Sequence, residues 1–184
     1  MRVDDLPGEL ILWILILSEV LVFMAGVSAM VINGALDPQS FAAAQAQLDG
    51  RMAALNTVVL VTSGLFAARA ERAAATGNRR AARIALVLAA AGGLGFLTLK
   101  GVEYARDLHA GLGIDSHPFF TFYYLLTGFH AAHVIAGVAV LALVAIRARP
   151  ESVQAGAMFW HMVDLVWVLI LPPVYLIWGT GWTG

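Results

Sequence analysis

Cysteine is absent from this sequence, which excludes disulfides, iron–sulfur clusters and any copper centre built on thiolates. Charge is scarce as well: Asp, Glu, Lys and Arg make up 12% of the 184 residues, and the net charge is −1. The basic residues of "ARAERAAATGNRRAAR" have no interleaved aromatics, so nothing supports nucleic-acid binding. A glycine-rich phosphate loop, a nucleophile elbow and a convincing internal repeat are also missing from the sequence.

What is present is apolar. Hydrophobic residues account for 60% of the chain, far above the balance of a soluble domain. Five runs, at residues 9–33, 53–69, 82–103, 118–146 and 156–178, approach or exceed the ~20 residues that a helix needs to cross the hydrocarbon. The second starts a few residues earlier than its apolar core. Residues 1–184 therefore read as one all-α membrane domain, a bundle of five transmembrane helices. The leading segment "MRVDDLPGEL" holds three acids and one arginine, and Glu19 interrupts the apolar run behind it. A signal peptide wants a positive start, so the first span is expected to be a retained helix.

Lys and Arg set the orientation. Arg69, Arg72, Arg79, Arg80, Arg83, Arg147, Arg149 and Arg2 fall on one side, against Arg51, Lys100 and Arg106 on the other. The bias predicts a cytoplasmic N-terminus and a periplasmic C-terminus.

Ionisable groups at membrane depth cost roughly 2.5–3.5 kcal/mol each on insertion scales, so they turn toward the bundle or a wet cavity. Glu19 sits near mid-membrane, as either a hydrogen-bonded structural carboxyl or a proton-handling group. Asn56 and Ser63 share a face of the second span, and Gly64 beside them admits a close neighbour, which predicts interhelical packing and hydrogen bonding. Gly128 is expected to pack in the same way on the fourth span. Lys100 and Glu103 share a face at the end of span three and read as an anchoring pair near the outer interface, with ion or proton entry as the alternative.

The stretch "FYYLLTGFHAAHVIAGV" raises the sharpest question, because His130 and His133 lie three apart on an apolar helix. His161 and Asp164 repeat the spacing in "FWHMVDLVWVLIL". With Glu19 these groups could close a dinuclear metal site, although neither pair has the Glu-x-x-His form of known carboxylate sites. Two of the histidines could instead hold a haem. The plainer reading makes each histidine a polar joint, donating a ring hydrogen to a carboxylate or carbonyl on a neighbouring helix. Trp160, Trp167 and Trp178 are expected at the lipid or the interface, Trp178 with Trp182 forming an outer belt. Pro172 and Pro173 predict a kink packed on a neighbour or lining a cavity.

Taken in order, "SEVLVF", "LNTVVLVTSG", "LGFLTLKGVEY", "TGFHAAHVIAGV" and "WHMVDLVWVLILPPVYLIWGT" resemble the subunit III family of haem–copper respiratory oxidases, from about Leu6 to Gly179. The longest members have seven helices, and this chain resembles their last five. Five-helix forms occur as subunit III of bacterial quinol or cytochrome c oxidases and as the accessory protein of nitric oxide reductases. "LPGEL" leading straight into the first span, and "LPPVYL", look more like the second group.

The resemblance implies a non-catalytic subunit without haem or copper of its own, in the bacterial inner membrane. It would stabilise a haem-bearing catalytic partner, which holds haem and possibly copper, together with phospholipids. It further implies that Glu19 matches an apolar-interior carboxylate that reacts with hydrophobic carbodiimides. His130, His133, His161 and Asp164 match polar signatures that are not metal ligands. Lys100 departs from the family's frequent glutamine, and "SVQAGAMF" replaces its charged approach to the last helix. An autonomous proton-coupled transporter or channel is the competing class, with Glu19, Asp164 and the histidines as its relay and the two prolines as its gate; a small metalloenzyme is a third.

Overall fold

The computed structural model describes residues 10–180, all of them in helices and the turns between them. The acidic start at residues 1–9 and the tryptophan at 182 lie outside the described residues. Five long helices are apolar enough to span a membrane: α1 (Leu10–Leu36), α3 (Gly50–Ala75), α4 (Arg79–His109), α5 (Pro118–Arg147) and α6 (Pro150–Tyr175). A short helix, α2 (Pro38–Gln45), and a terminal 3₁₀ turn (Trp178–Thr180) complete the order. The helices overrun the apolar windows of the sequence. Arg79, Arg80 and Arg83 stay helical at one end of α4, and Arg106 and Asp107 at the other.

Local chemistry sets the boundaries. Asp49 caps α3 by accepting from the backbone N–H of Arg51 and Met52 at 3.0 and 3.2 Å. Asn78 caps α4 through Ala81 N–H at 3.0 Å. Asn78 also closes α3, its own N–H reaching Ala73 O at 2.9 Å across Gly77 at φ +77°. That bond is the Schellman closure, and the left-handed residue it needs is a glycine. The α2 helix, which hydropathy does not foresee, starts at Pro38 and is capped by Asp37 on Ser40 N–H at 3.2 Å.

His117 caps α5 with its ring: Nδ1 accepts from Phe119 N–H at 3.0 Å. The neutral ring then carries its hydrogen on Nε2, which faces Ser40 Oγ at 2.5 Å. One side chain thus ties the start of α5 to α2.

Helices α3, α4, α5 and α6 close a four-helix ring, each packed on the next and α6 back on α3. Helix α1 lies outside the ring against α6 and α5, and only Phe23, Met30 and Gly34 of its 27 residues are buried. The polar staple at the α2 end is Gln45. Its amide donates to Val174 O at 2.9 Å and accepts from Gly179 N–H at 2.7 Å. Helix α6 runs through Pro172 and Pro173 to Tyr175, and Trp178 then folds back to donate its indole N–H to Pro173 O at 2.9 Å.

Three tryptophans are not where the sequence reading puts them. Trp160 and Trp167 have no exposed surface and Trp178 keeps 6%. Small residues explain two of them, while Trp167 packs on the rings of Phe96 and His130. Trp160 lies over Gly93 and Gly137, and Trp178 over Gly34, where a Cβ would overlap the ring. Glycines on facing helices make slots that only a large flat side chain fills.

Candidate functional site

The densest polar cluster sits toward the α2 end, between α4, α5 and α6. Lys100 is 2% exposed and Glu103 2%, so the expected anchoring pair at the interface is instead a buried ion pair. An unpaired charge there would be prohibitive. The Lys100 ammonium lies 3.2 Å from Glu103 Oε2, an ion pair whose angle is not that of a hydrogen bond. It donates to Tyr123 Oη at 3.3 Å and Tyr175 Oη at 2.5 Å. Four rings surround it: Tyr123, Tyr175, Tyr104 and Trp167, with centroids 4.7, 5.2, 5.3 and 5.5 Å from Nζ.

The phenols extend the network. Tyr175 donates to Glu103 Oε1 at 2.6 Å. Tyr123 Oη stands 3.0 Å from both Glu103 Oε1 and Asp107 Oδ2, and its single hydrogen serves one of them at a time. Thr127 donates to Tyr123 O, which leaves its oxygen to accept from Tyr104 Oη. Sequence reasoning missed Tyr123, Tyr175, Asp107 and Thr127. The available signal was several hydroxyls near the ends of otherwise apolar spans, facing a lysine that cannot be buried alone.

The paired histidines part company. His133 donates from Nδ1 to Phe129 O at 2.8 Å in its own helix, and Nε2 lies 3.1 Å from Glu19 Oε2 on α1. With Nδ1 as the donor to Phe129, a hydrogen bond at this distance needs its hydrogen on either Nε2 or the carboxyl, and it joins α1 to α5. Neither is fully buried: their side chains keep 15% and 27% of their surface. His130 has no exposed surface, and among the described residues neither ring nitrogen has a hydrogen-bond partner. The expected bond to a neighbouring helix is absent because apolar rings occupy its surroundings. Phe96 meets it edge-on at 5.4 Å, Trp167 lies tilted at 5.2 Å, and Phe23 stands at 6.5 Å. Helical turning separates the two residues, one inward and one toward α1.

His161 and Asp164 stay on one helix, Nδ1 to Oδ2 at 3.6 Å, beyond hydrogen-bond range. His161 is on the outside of the bundle with 44% of its side chain exposed, which corrects its assignment as buried. Asp164 tucks against Gly64, where a Cβ would collide with its carboxylate. Glu19, the two histidines of α5 and the His161–Asp164 pair thus do not converge. Among the described residues no group of three or more His, Asp or Glu could hold a metal.

Ser63 donates to Ala89 O at 2.6 Å and accepts from Trp160 Nε1 at 3.1 Å, so it joins α3, α4 and α6. One turn pair away, Trp167 Nε1 donates to Thr57 Oγ1 at 3.0 Å. Asn56 is buried on the same helix, but its amide makes no hydrogen bond among the described residues. Gly128 is no close-approach point either: an added Cβ would meet only Tyr104 Oη, at an ordinary 3.9 Å.

The model of the family described as cytochrome c oxidase subunit III matches residues 8–180. A probable cytochrome c oxidase subunit 3 of Nocardia farcinica is 32% identical, covering 91% of this chain and 85% of its own. Cytochrome c oxidase subunit 3 of Corynebacterium diphtheriae is 31% identical over 89% of this chain and 85% of its own. The Gallus gallus protein of that name is 32% identical over 68% of this chain and 50% of its own. The match thus runs the length of the bundle just described, from the start of α1 to the terminal turn. This multi-pass membrane protein belongs to the cytochrome c oxidase subunit III family.

Proposed function

We propose that the chain is the non-catalytic third subunit of a bacterial cytochrome c oxidase, and that it sustains turnover by stabilising the haem-bearing catalytic subunit and the lipids around it. The observation that carries this is the match over residues 8–180, together with relatives that cover 85% of their own length and are named as that subunit. Those names favour the oxidase over the nitric oxide reductase accessory protein. The site agrees in kind. His133 is engaged with Glu19 and Phe129, and His117 with Phe119 and Ser40, so these rings act as joints between helices.

Helix α1 supplies the docking face in this reading. It is the most apolar span and is hardly covered by the rest of the chain. Partner helices and phospholipid acyl chains would meet it, with the Glu19–His133 pair as the polar, proton-linked contact. Arginines 69, 72, 79, 80, 83, 147 and 149 lie at the end away from α2. The positive-inside rule puts that end in the cytoplasm of a bacterial inner membrane.

The test is to extract the complex from native membrane in mild detergent, identify the co-purifying chains and record the haem spectrum. A haem-bearing partner that reduces oxygen supports the proposal. A partner that consumes nitric oxide instead makes the chain the reductase accessory protein. A colourless chain that moves protons alone in proteoliposomes overturns both in favour of a transporter. In the intact complex, Glu19→Gln should leave haem content unchanged and cost little initial activity. Loss of haem would contradict a peripheral joint.

A further inference from the structure

A simple ion pair needs one carboxylate. The surroundings of Lys100 hold far more: four aromatic rings with centroids within 5.5 Å of Nζ, two phenol oxygens as hydrogen-bond acceptors, and Glu103 at 3.2 Å. The walls come from three helices. Tyr104 and Glu103 stand on α4, Tyr123 on α5, and Trp167 and Tyr175 on α6. Each is held by a bond of its own: Tyr104 to Thr127, Tyr123 to Glu103 or Asp107, Trp167 to Thr57 and Tyr175 to Glu103. The cage is therefore shaped by its walls as well as by its occupant. Ring faces attract a cation and carboxylates add charge, while the phenol oxygens accept only from an ion that carries N–H.

We infer that this cage is a recognition site for a primary ammonium ion, which the chain fills with its own Lys100, and that it takes up a free primary ammonium once that side chain is removed. A potassium ion needs several oxygen ligands and gains nothing from directed N–H donation. A quaternary ammonium has no N–H for the Tyr123 and Tyr175 oxygens. The preferred ligand is therefore a small alkylammonium.

The experiment uses the full chain in detergent with Lys100→Ala, which deletes three carbons and the ammonium. The probe is n-propylammonium chloride, with 1-propanol and potassium chloride as controls. The expected result is one propylammonium bound per K100A chain, with the thermal midpoint rising as amine is added, and no such response from wild type, whose cage is full. Absence of binding to K100A, an equal response to 1-propanol or potassium, or equal binding by wild type overturns the inference. Should K100A fail to fold, Lys100→Met keeps the length and drops the charge. Its thermal midpoint should fall by roughly 10 °C, as for breaking a buried pair, and should recover in part when Glu103→Gln is added. K100M as stable as wild type overturns the cation cage.

Discussion

Gly137→Ala tests the packing that holds the ring of helices together. Alanine normally stabilises a helix interior over glycine by about 0.8–1.0 kcal/mol. At Gly137, however, the new methyl would stand 2.7 Å from both Cε3 and Cζ3 of Trp160. The indole has nowhere to go. A Cβ at Gly93, on α4, would lie 2.5 Å from its Cη2, and its Nε1–H is held by Ser63 at 3.1 Å. Overpacking of a filled core costs typically about 1–3 kcal/mol, which cancels the propensity gain and leaves a net destabilisation of up to roughly 2 kcal/mol.

Gly101 is the control: it is exposed on α4 and a Cβ there meets nothing within 4 Å. Gly101→Ala should therefore be neutral or stabilising by up to about 1 kcal/mol. The assay is unfolding of the detergent-solubilised chain on a rising SDS fraction, followed by far-UV circular dichroism. A double-mutant cycle with Trp160→Phe, which removes the second ring, should show the Gly137→Ala penalty shrinking by about 1 kcal/mol. If G137A matches G101A, or if W160F gives no relief, the glycine slot does not govern packing.

Ser63→Ala should cost about 0.6–1.7 kcal/mol, the range for hydrogen bonds between membrane helices, and should shift the Trp160 indole N–H resonance; an unmoved resonance would show that the bond is not made. Ala148 ends α5 at φ +46° without being glycine; Ala148→Gly relieves about 1–2 kcal/mol of left-handed strain but gives up a fully buried methyl worth about 0.8 kcal/mol, so the same unfolding assay should show a stabilisation of up to about 1 kcal/mol, and a loss of stability would refute the strain. Gln45→Leu removes both bonds from α2 to the C-terminal turn, so amide exchange at Gly179 should accelerate at least tenfold while the centres of α3 and α4 stay protected. Asp49→Ala deletes the α3 cap and should cost roughly 0.5–2 kcal/mol, read as earlier fraying of Arg51 and Met52 in hydrogen exchange.

The legibility of the site varied residue by residue. Ser63 and Gly64 stood out because a hydroxyl and a glycine on an apolar helix can do little except face a neighbour, and the structure places Ala89, Trp160 and Asp164 against them. His130 and His133 looked equivalent because spacing along one helix says that side chains are close, not what lies opposite. The intervening three residues turn one ring toward Phe96 and Trp167 and the other toward Glu19. Tryptophan misled for a related reason. Its enrichment at membrane interfaces is a property of averages, whereas a slot between Gly93 and Gly137 is a property of two helices brought together.

By itself the sequence determined the five spans, their all-helical character and the family. Each of these follows from local quantities: mean hydropathy over about twenty residues, backbone satisfaction within one helix, and motifs a few residues long. Tertiary structure alone decided which polar groups meet. Lys100 finds Tyr123 and Tyr175, Glu19 finds His133, and Gln45 finds Val174. Those meetings depend on the rotation and axial register of helices distant in the chain. Many small side-chain contacts set these two quantities together, and no single stretch of sequence encodes them.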